Sequence, residues 1–532
     1  MHSPVLWRAD LVGPVPMSGE TIGALLARRG VAVFWTLAAL GAFVAVLAPA
    51  IGFLTLPRDT VEGFLWGRSI DWGYFKHPPL QAWVLGLSEY LAPGASWLAY
   101  LYAQICVLVT LWAVWALAVT ILGPGQGVIA AFLTLAGIHY YGPPMATFTP
   151  DTLSAPLWAL TGLFWWRAVV QGRTAFWFAL AVVVALSVYA KYVGLLLVGV
   201  LVVLTLALPE GRAQLRRPAF WLALVLGLAL VAPHAAWIVE TGGSSLVHVL
   251  STDATAETVV MRLWYVLCFF GAQLLVHAGL LALLAIGVGV GASRPRPELV
   301  IEGRDPGERE RTLLLVMAFA PILVALVTNF AVGGEFRQGR GTALFAFSGI
   351  AAVALIGPRL VIGRLRLASA VVIAVVLVLP VLNAGHHYVR LAMGAAHVPT
   401  LYPAQSLASQ LEALWRERTG LPLRIVAGDR WHAGNVAFYA PARPQILFDG
   451  DVRLSPWITR DRVAREGALL VWQPDDAGAL ARLRRLSPGL KPDGLVEADA
   501  VLRSGAPVVL AYRIIAPKAP EVADVAARAD GP

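Results

Sequence analysis

Long apolar runs fill the first three quarters of the chain, and a short polar loop separates each run from the next. A bilayer core about 30 Å thick needs about 20 residues of helix, which is close to the length of most of these runs. The pattern predicts a polytopic α-helical membrane protein with about 11 transmembrane helices. The predicted spans are residues 31–56, 96–122, 125–141, 152–170, 174–189, 193–208, 219–240, 259–290, 313–332, 342–356 and 367–384.

Basic residues gather in alternate loops between these runs. Arg28 and Arg29 precede the first run, and Arg212, Arg216 and Arg217 follow the sixth. The positive-inside rule places such loops in the cytoplasm. Residues 1–30 are then a cytoplasmic segment, and an odd number of spans puts the C-terminal region on the outer side.

The pattern changes after about residue 399, where charge rises and short β-forming runs alternate with polar helical stretches. The β-forming runs are residues 423–427, 445–448, 469–472 and 508–515. We therefore predict a membrane domain over residues 31–398 and a small α/β domain over residues 399–516. The tail 517–532 is rich in Ala, Asp and Pro and is expected to be disordered.

Composition supports the membrane assignment and excludes a soluble protein. The chain is 58% hydrophobic and 14% charged, with a mean hydropathy of +0.70 over 532 residues. A net charge of +9 would suit a nucleic-acid-binding protein. The basic residues, however, are spread over short loops between apolar runs, so membrane topology explains the charge better.

Three predicted external loops hold the polar residues that the membrane would otherwise exclude. The first, residues 57–93, carries Asp59 and the sequence DWGYFKHPPL at residues 71–80. The second, residues 139–151, ends at Asp151, and the third is GGEFRQGRG at residues 333–341. A single charge at a helix end often only snorkels to the interface. Ionisable groups that converge from several loops instead tend to line a cavity or pathway.

Four motifs follow one another along the chain: a segment over residues 59–80 that ends in GYFKHPPL, FTPD at 148–151, AKY at 190–192 and FYAPARP at 438–444. In this order they resemble bacterial glycosyltransferase family 39. That family belongs to the GT-C membrane transferases and is related to protein O-mannosyltransferases and lipid A aminoarabinose transferase. Lys76 stands where many relatives carry aspartate, and in this respect the loop is similar to that of the aminoarabinose transferase.

The resemblance implies a GT-C fold and a catalytic first external loop, residues 57–93. It also implies transfer of a sugar from a polyprenyl-phosphate donor to a lipid, glycan or protein acceptor, with inversion at the anomeric carbon. Such enzymes act on the outer face of the bacterial inner membrane, in cell-envelope or lipopolysaccharide glycosylation. The active site and the C-terminal domain would then face the periplasm.

The reaction assigns roles to particular residues. The leaving phosphate is already anionic, so cations suffice to stabilise it, and we expect Lys191, Arg337 and Arg340 to bind it. The acceptor hydroxyl has a pKa far above neutrality and benefits from a carboxylate that takes its proton. Asp59 is the predicted catalytic base.

Asp151 is the second predicted catalytic carboxylate. It would orient the acceptor or Lys76, or help to hold a metal, although a favourable charge in the first turn of a helix explains it equally well. The further predicted substrate-binding residues are Tyr74, Lys76, His77, Tyr192 and Glu335. A structural hydrogen bond for His77 and an interfacial aromatic belt for Tyr74 remain alternatives. No cofactor is certain, and a divalent metal stays an open alternative.

Two other functions stay open. A lipid-linked glycan polymerase or ligase would act on the same class of donor at the same face. A secondary transporter is a different class of protein, and it would place ionisable residues near the middle of the bilayer on broken, repeat-related helices. The charges here gather in external loops, which favours the transferase.

Overall fold

A computed structural model describes residues 29–253, 258–287, 300–333, 341–361, 364–395, 398–501 and 507–518. The predicted cytoplasmic segment and the predicted disordered tail therefore lie almost wholly outside the described residues. In chain order the helices are α1 (Val31–Gly52), α2 (Arg58–Gly67), α3 (Leu80–Leu91), α4 (Leu98–Leu122), α5 (Pro124–Leu135), α6 (Ile138–Tyr141), α7 (Pro150–Trp165), α8 (Ala175–Ala190), α9 (Gly194–Ala207), α10 (Pro209–Gln214), α11 (Pro218–Glu240), α12 (Ser244–Asp253), α13 (Val259–Val276), α14 (Ala278–Gly287), α15 (Gly307–Val332), α16 (Gly341–Leu344), α17 (Ser348–Ile356), α18 (Leu365–Ile373), α19 (Leu379–Ala392), α20 (Ala404–Thr419), α21 (His432–Tyr439), α22 (Arg460–Glu466) and α23 (Ala477–Leu483).

Within the described residues, six helical segments are long and apolar enough to cross a membrane: α1, α4, α11, α13, α15 and Leu365–Ala392. Shorter apolar helices occupy Pro124–Leu135, Ala175–Ala190, Gly194–Ala207 and Gly341–Ile356. The polytopic α-helical prediction is confirmed, whereas the count of 11 spans stays a prediction. On α11, Leu222, Val225 and Leu228 are at least 60% exposed, as expected of a helix whose outer face contacts lipid.

Neighbouring helices pack closely where the sequence supplies glycine. The turn between α4 and α5 is made by Gly123, whose φ of +84° suits a residue without a Cβ. Pro124 then begins α5 at a position where its missing N–H costs nothing. At Gly127 a Cβ would lie 2.8 Å from the Val119 backbone, so only glycine lets the two helices approach this closely.

The membrane domain has two chemically different ends. At one end of α4, Arg304 donates its backbone N–H to the Leu122 carbonyl, which places the basic segment after residue 300 there. At the other end, the Phe148 N–H donates to the Ala99 carbonyl. We call these the basic end and the site end. Because α7 and α8 run antiparallel, Arg167 and Arg173 lie at the basic end, opposite Asp151 and Lys191.

The strands are β1 (Val300–Glu302), β2 (Arg359–Val361), β3 (Ile425–Gly428), β4 (Gln445–Phe448), β5 (Ala468–Trp472), β6 (Gly494–Ala498) and β7 (Val508–Ile515). β1 and β2 form a small antiparallel ribbon at the basic end. The other five form one sheet in the order β4-β3-β5-β7-β6. β3 is parallel to β4 and β5, and β7 is antiparallel to β5 and β6. Every residue of β3 and β5 is buried, as expected of central strands covered by helices on both faces.

The α/β domain docks on α2 and the residues that follow it. Arg68 is buried and donates to the carbonyl oxygens of Ala437 and Pro444, each at 2.9 Å. The same guanidinium pairs with Glu89 at 2.7 Å, and Arg443 contacts that carboxylate at 3.1 Å. The FYAPARP motif therefore lies in the contact between the two domains. We call Arg68, Glu89 and Arg443 the docking cluster.

Candidate active site

The predicted first external loop contains two helices, and its predicted catalytic residue, Asp59, lies on the first of them. Asp59 and Glu62 are three residues apart on α2, so their carboxylates lie on one face. The Lys76 ammonium lies between them, 2.6 Å from Asp59 Oδ1 and 2.8 Å from Glu62 Oε2. We call these three residues the first ion cluster. Glu62 is fully buried, whereas 46% of the Asp59 side chain is exposed, so Asp59 is the carboxylate that a substrate can reach.

The chain before Lys76 is held by aromatic packing. The Tyr74 ring stacks on Trp66 with a centroid separation of 5.2 Å, and its hydroxyl lies within hydrogen-bond distance of the Trp66 and Ser69 carbonyls. Tyr74 is only 2% exposed. The structure places this predicted substrate-binding residue in the core beneath the loop, and its role in binding stays a prediction. Its packing fixes the backbone that presents Lys76.

A second ion pair forms where α7 begins and α8 ends. Thr149 accepts the Thr152 N–H at 3.2 Å and so caps α7, which places Asp151 in its first turn. Lys191 follows the last residue of α8, and its ammonium lies 2.6 Å from Asp151 Oδ1. Both side chains are partly exposed, Asp151 by 30% and Lys191 by 20%.

Two polar bridges join the separate motifs at the site end. The side-chain amide of Gln81 donates to the Phe148 carbonyl at 2.9 Å and lies 3.2 Å from the Asp59 carbonyl, which ties the FTPD segment to α2. The Tyr192 hydroxyl lies 3.0 Å from His234 Nε2, and His234 Nδ1 lies 2.7 Å from the Trp72 carbonyl. The second bridge therefore connects the AKY segment to the first loop through α11.

The charges of the site set the protonation of its members. Burial alone would raise the pKa of the Asp59 carboxyl, but the Lys76 ammonium holds it well below its usual range. Burial raises the pKa of Glu62, and the Asp59 carboxylate adds to this effect, while Lys76 opposes it. Burial and the nearby Lys76 and Lys191 lower the pKa of His77 well below its ordinary value. His77 is therefore neutral near pH 7 and lies within the electrostatic reach of both lysines.

The structure thus brings together five of the predicted site residues: Asp59, Lys76, His77, Asp151 and Lys191. Tyr192 joins them through the His234 bridge. Glu335, Arg337 and Arg340 lie outside the described residues, so their placement stays a prediction. Among the residues that the structure describes, no group of three or more His, Cys, Asp or Glu side chains could hold a metal ion.

Sequence reasoning missed two charged members of the site. Glu62 belongs to the first ion cluster, and its helical spacing from Asp59 is the signal that could have identified it. Arg430 enters from the α/β domain, with its Nε 3.6 Å from Glu62 Oε1. No local pattern predicts that contact, because it depends on how the two domains dock.

Comparisons with known proteins concern the family and the fold. Residues 76–237, which include Lys76, Asp151 and Lys191, match the family model described as dolichyl-phosphate-mannose-protein mannosyltransferase. A search of curated proteins finds no match.

Two solved structures of ArnT from Cupriavidus metallidurans are similar over nearly the whole chain. The structure bound to undecaprenyl phosphate is 18% identical, with a TM-score of 0.55, and the match covers 90% of this chain and 97% of that chain. The apo structure is 16% identical with the same TM-score of 0.55, and the match covers 91% and 98%. The likeness includes the membrane domain and the α/β domain together. The chain is therefore a multi-pass membrane protein with the GT-C fold that its sequence motifs predict.

Proposed function

We propose that the protein is an integral-membrane glycosyltransferase that moves a sugar from a polyprenyl-phosphate donor to a lipid, glycan or protein acceptor. The observation that carries this proposal is the pairing of an exposed, ionised carboxylate, Asp59, with the buried ammonium of Lys76. A second ammonium, Lys191, lies nearby. Such a site offers a base for an acceptor hydroxyl beside cations for a phosphate.

The proposed reaction is an inverting displacement. The acceptor oxygen attacks the anomeric carbon from the face opposite the phosphate, while Asp59 takes the hydroxyl proton. The bond between the anomeric carbon and the phosphate oxygen breaks, and its electron pair leaves with the polyprenyl phosphate. Lys76 and Lys191 stabilise the additional negative charge on that phosphate, a role that Arg337 and Arg340 would share.

The low pKa of Asp59 has a direct consequence for this mechanism. A carboxylate held by an ammonium at 2.6 Å is a weak base. A donor phosphate that draws Lys76 towards itself would weaken this contact and raise the basicity of Asp59. Donor binding would thus increase the basicity of Asp59. Without bound donor, Asp59 would remain a weak base and would not take the proton of the acceptor hydroxyl.

The proposed orientation has the site end in the periplasm of a bacterial inner membrane. The arginines of the basic end, among them Arg167, Arg173 and Arg304, favour the cytoplasm by the positive-inside rule. The similarity to ArnT bound to undecaprenyl phosphate supports a polyprenyl-phosphate carrier as the donor lipid. Cysteine-labelling with a membrane-impermeant reagent, at positions introduced at each end, tests this orientation.

The central test is donor consumption by purified protein in lipid nanodiscs. A panel of undecaprenyl-phosphate sugars is supplied together with a bacterial lipid extract as acceptor, and released undecaprenyl phosphate is measured. We expect release from at least one donor, a sugar mass increment on an acceptor, and loss of both in Asp59→Asn. Asp71→Asn is the matched control, because Asp71 lies on the same loop and, among the described residues, its side chain accepts a hydrogen bond from the N–H of its neighbour alone.

A polymerase or ligase would instead lengthen a lipid-linked glycan, which mass spectrometry of the products distinguishes. Movement of a solute without any donor consumption would contradict the transferase and favour a transporter. Comparison of envelope lipids and glycans from cells with and without the protein then identifies the sugar and its recipient.

A further inference from the structure

Glu62 is a buried carboxyl group that the displacement itself does not use. Its side chain is fully buried, and its Oε2 accepts from Lys76 at 2.8 Å. Its other oxygen, Oε1, has no hydrogen-bond partner within the described structure. An unpaired charge in such a place is costly unless a second cation is near. The Nε atom of Arg430 lies 3.6 Å from that oxygen.

Arg430 is held in place by the α/β domain. It follows the C-terminal end of β3 and precedes α21. Its neighbour Asp429 accepts the backbone N–H groups of Trp431 and His432 at 2.7 and 2.8 Å, which fixes the turn between strand and helix. The direction of Arg430 is therefore set by the fold of this domain, and its distance from Glu62 is set by how the domain docks.

We propose that Arg430 is a positioning residue that keeps Glu62 ionised, so that Lys76 is shared between two carboxylates instead of binding Asp59 alone. The proposal rests on the function proposed above, because it concerns the readiness of Asp59 to act as base. It adds a residue of the α/β domain to a site otherwise built from the membrane domain.

The charges around Glu62 support this role. Burial raises the pKa of Glu62, Lys76 lowers it, Asp59 raises it and Arg430 lowers it. Loss of Arg430 removes one of the two cations, so the pKa of Glu62 must rise further. A protonated Glu62 no longer competes for the ammonium, and Lys76 then pairs with Asp59 alone. Asp59 becomes a weaker base, and transfer slows.

Regulation by domain docking is the consequence. When the α/β domain is seated, Arg430 reaches Glu62 and the site is charged for catalysis. Without that contact, Glu62 would take up a proton more readily and Lys76 would hold Asp59 alone. The α/β domain would in this way set the protonation of the site.

An infrared titration tests the first half of the proposal without any substrate. The carboxylic-acid band of Glu62 is identified as the band that disappears in Glu62→Gln. In Arg430→Met this band should persist to a pH higher by roughly 1 to 3 units, the usual effect of one close opposite charge. Arg430→Lys should restore most of the wild-type titration. An unchanged Glu62 titration in Arg430→Met would overturn the proposal, whether or not any donor is consumed.

The pH dependence of donor consumption tests the second half. In Arg430→Met the acid limb of the rate profile should move to higher pH by the same amount, and the rate should approach that of wild type at high pH. A purely structural role for Arg430 would lower the rate equally at every pH, which would contradict the proposal. In a Glu62→Gln background, Arg430→Met should have no further effect, and an added loss would likewise contradict it.

The two proposals fail in distinguishable ways. If the wild-type protein consumes no donor in the panel, the glycosyltransferase proposal fails, while the infrared titration still decides whether Arg430 controls Glu62. If wild type is active and the profiles of wild type and Arg430→Met coincide, the positioning role fails and the transferase stands. Thermal unfolding of each variant confirms that it is folded.

Discussion

Two lysine sites lie at the same end of the molecule and differ in how their charge is balanced. Lys76 is 11% exposed and contacts two carboxylates, of which Glu62 is fully buried. Lys191 is 20% exposed and contacts one, Asp151, which is 30% exposed. With Glu62 ionised, as proposed, the first ion cluster without Arg430 carries an excess negative charge, whereas the second pair is neutral. Water can screen the second pair and can reach Asp59, but only neighbouring protein groups can balance the buried carboxylate of Glu62.

This difference assigns unequal roles to similar residues. A partly exposed pair contributes little to stability, and it can exchange its partner for a ligand at small cost. Removal of Lys76 from the first ion cluster would leave the buried Glu62 carboxylate without its main cation, which is strongly destabilising. These properties support the roles proposed above, namely catalysis at the first ion cluster and orientation of a substrate at the pair of Asp151 and Lys191.

The largest expected effect comes from replacing the base. Asp59→Asn should lower transfer about 10² to 10⁴-fold, because the acceptor proton then has no carboxylate to take it. Asp151→Asn should lower it less, since Asp151 orients but does not accept the proton. Rates of donor consumption measured side by side decide the order. A full loss in Asp151→Asn with activity retained in Asp59→Asn would reverse the two roles.

The next largest effect is on protein stability, and it distinguishes replacement of Lys76 from replacement of Lys191. Lys76→Met leaves a buried carboxylate without its main cation, a change that typically costs about 3 to 5 kcal/mol. Lys191→Met leaves a carboxylate that water can reach, with an expected cost below about 1 kcal/mol. Thermal unfolding in matched nanodiscs gives the comparison. Lowering the pH should reduce the difference in stability between the two variants, because Glu62 has a raised pKa and a protonated Glu62 no longer depends on the Lys76 cation. Equal losses at neutral pH would contradict the contrast.

The smallest expected effect comes from the bridge of Tyr192 and His234, which connects the segment of Lys191 to the first loop. Tyr192→Phe removes a hydroxyl that lies 3.0 Å from His234 Nε2 and 2.9 Å from Ser245. We expect the free energy of donor binding to weaken by about 1 kcal/mol. This would appear as a several-fold rise in the donor KM with little change in kcat. Tyr388→Phe is the control, since its hydroxyl donates to the Gly52 carbonyl on another pair of helices. A larger effect in the control would remove the bridge from the site.

Most of the fold follows from periodicity, and the exceptions have physical causes. The β-forming runs 445–448 and 508–515 coincide with β4 and β7. The sequence did not predict β6, whose residues are alternately buried and exposed at the edge of the sheet and include Glu497. α2 was also missed, because its 10 residues are few and its polar face resembles a loop.

Only part of the candidate site could likewise be predicted from the sequence. Continuous sequence motifs predicted Asp59, Lys76, Asp151 and Lys191. Arg430 depends on domain docking, and Gln81 and His234 act through single hydrogen bonds between distant segments. Such contacts leave no periodic signal in one sequence. They are nevertheless the contacts that align the motifs with one another.

The docking cluster also determines when the first loop can reach its final contacts during synthesis of the chain. Arg68 bonds to carbonyls of Ala437 and Pro444, which lie 369 and 376 residues further along the chain. At a translation rate of about 5 to 20 residues per second, these acceptors emerge roughly 20 to 75 seconds after Arg68 itself. The membrane domain of a nascent chain therefore lacks these contacts to its first loop until the α/β domain has been synthesised and has folded. We accordingly expect the proposed sugar transfer to be absent from half-made chains.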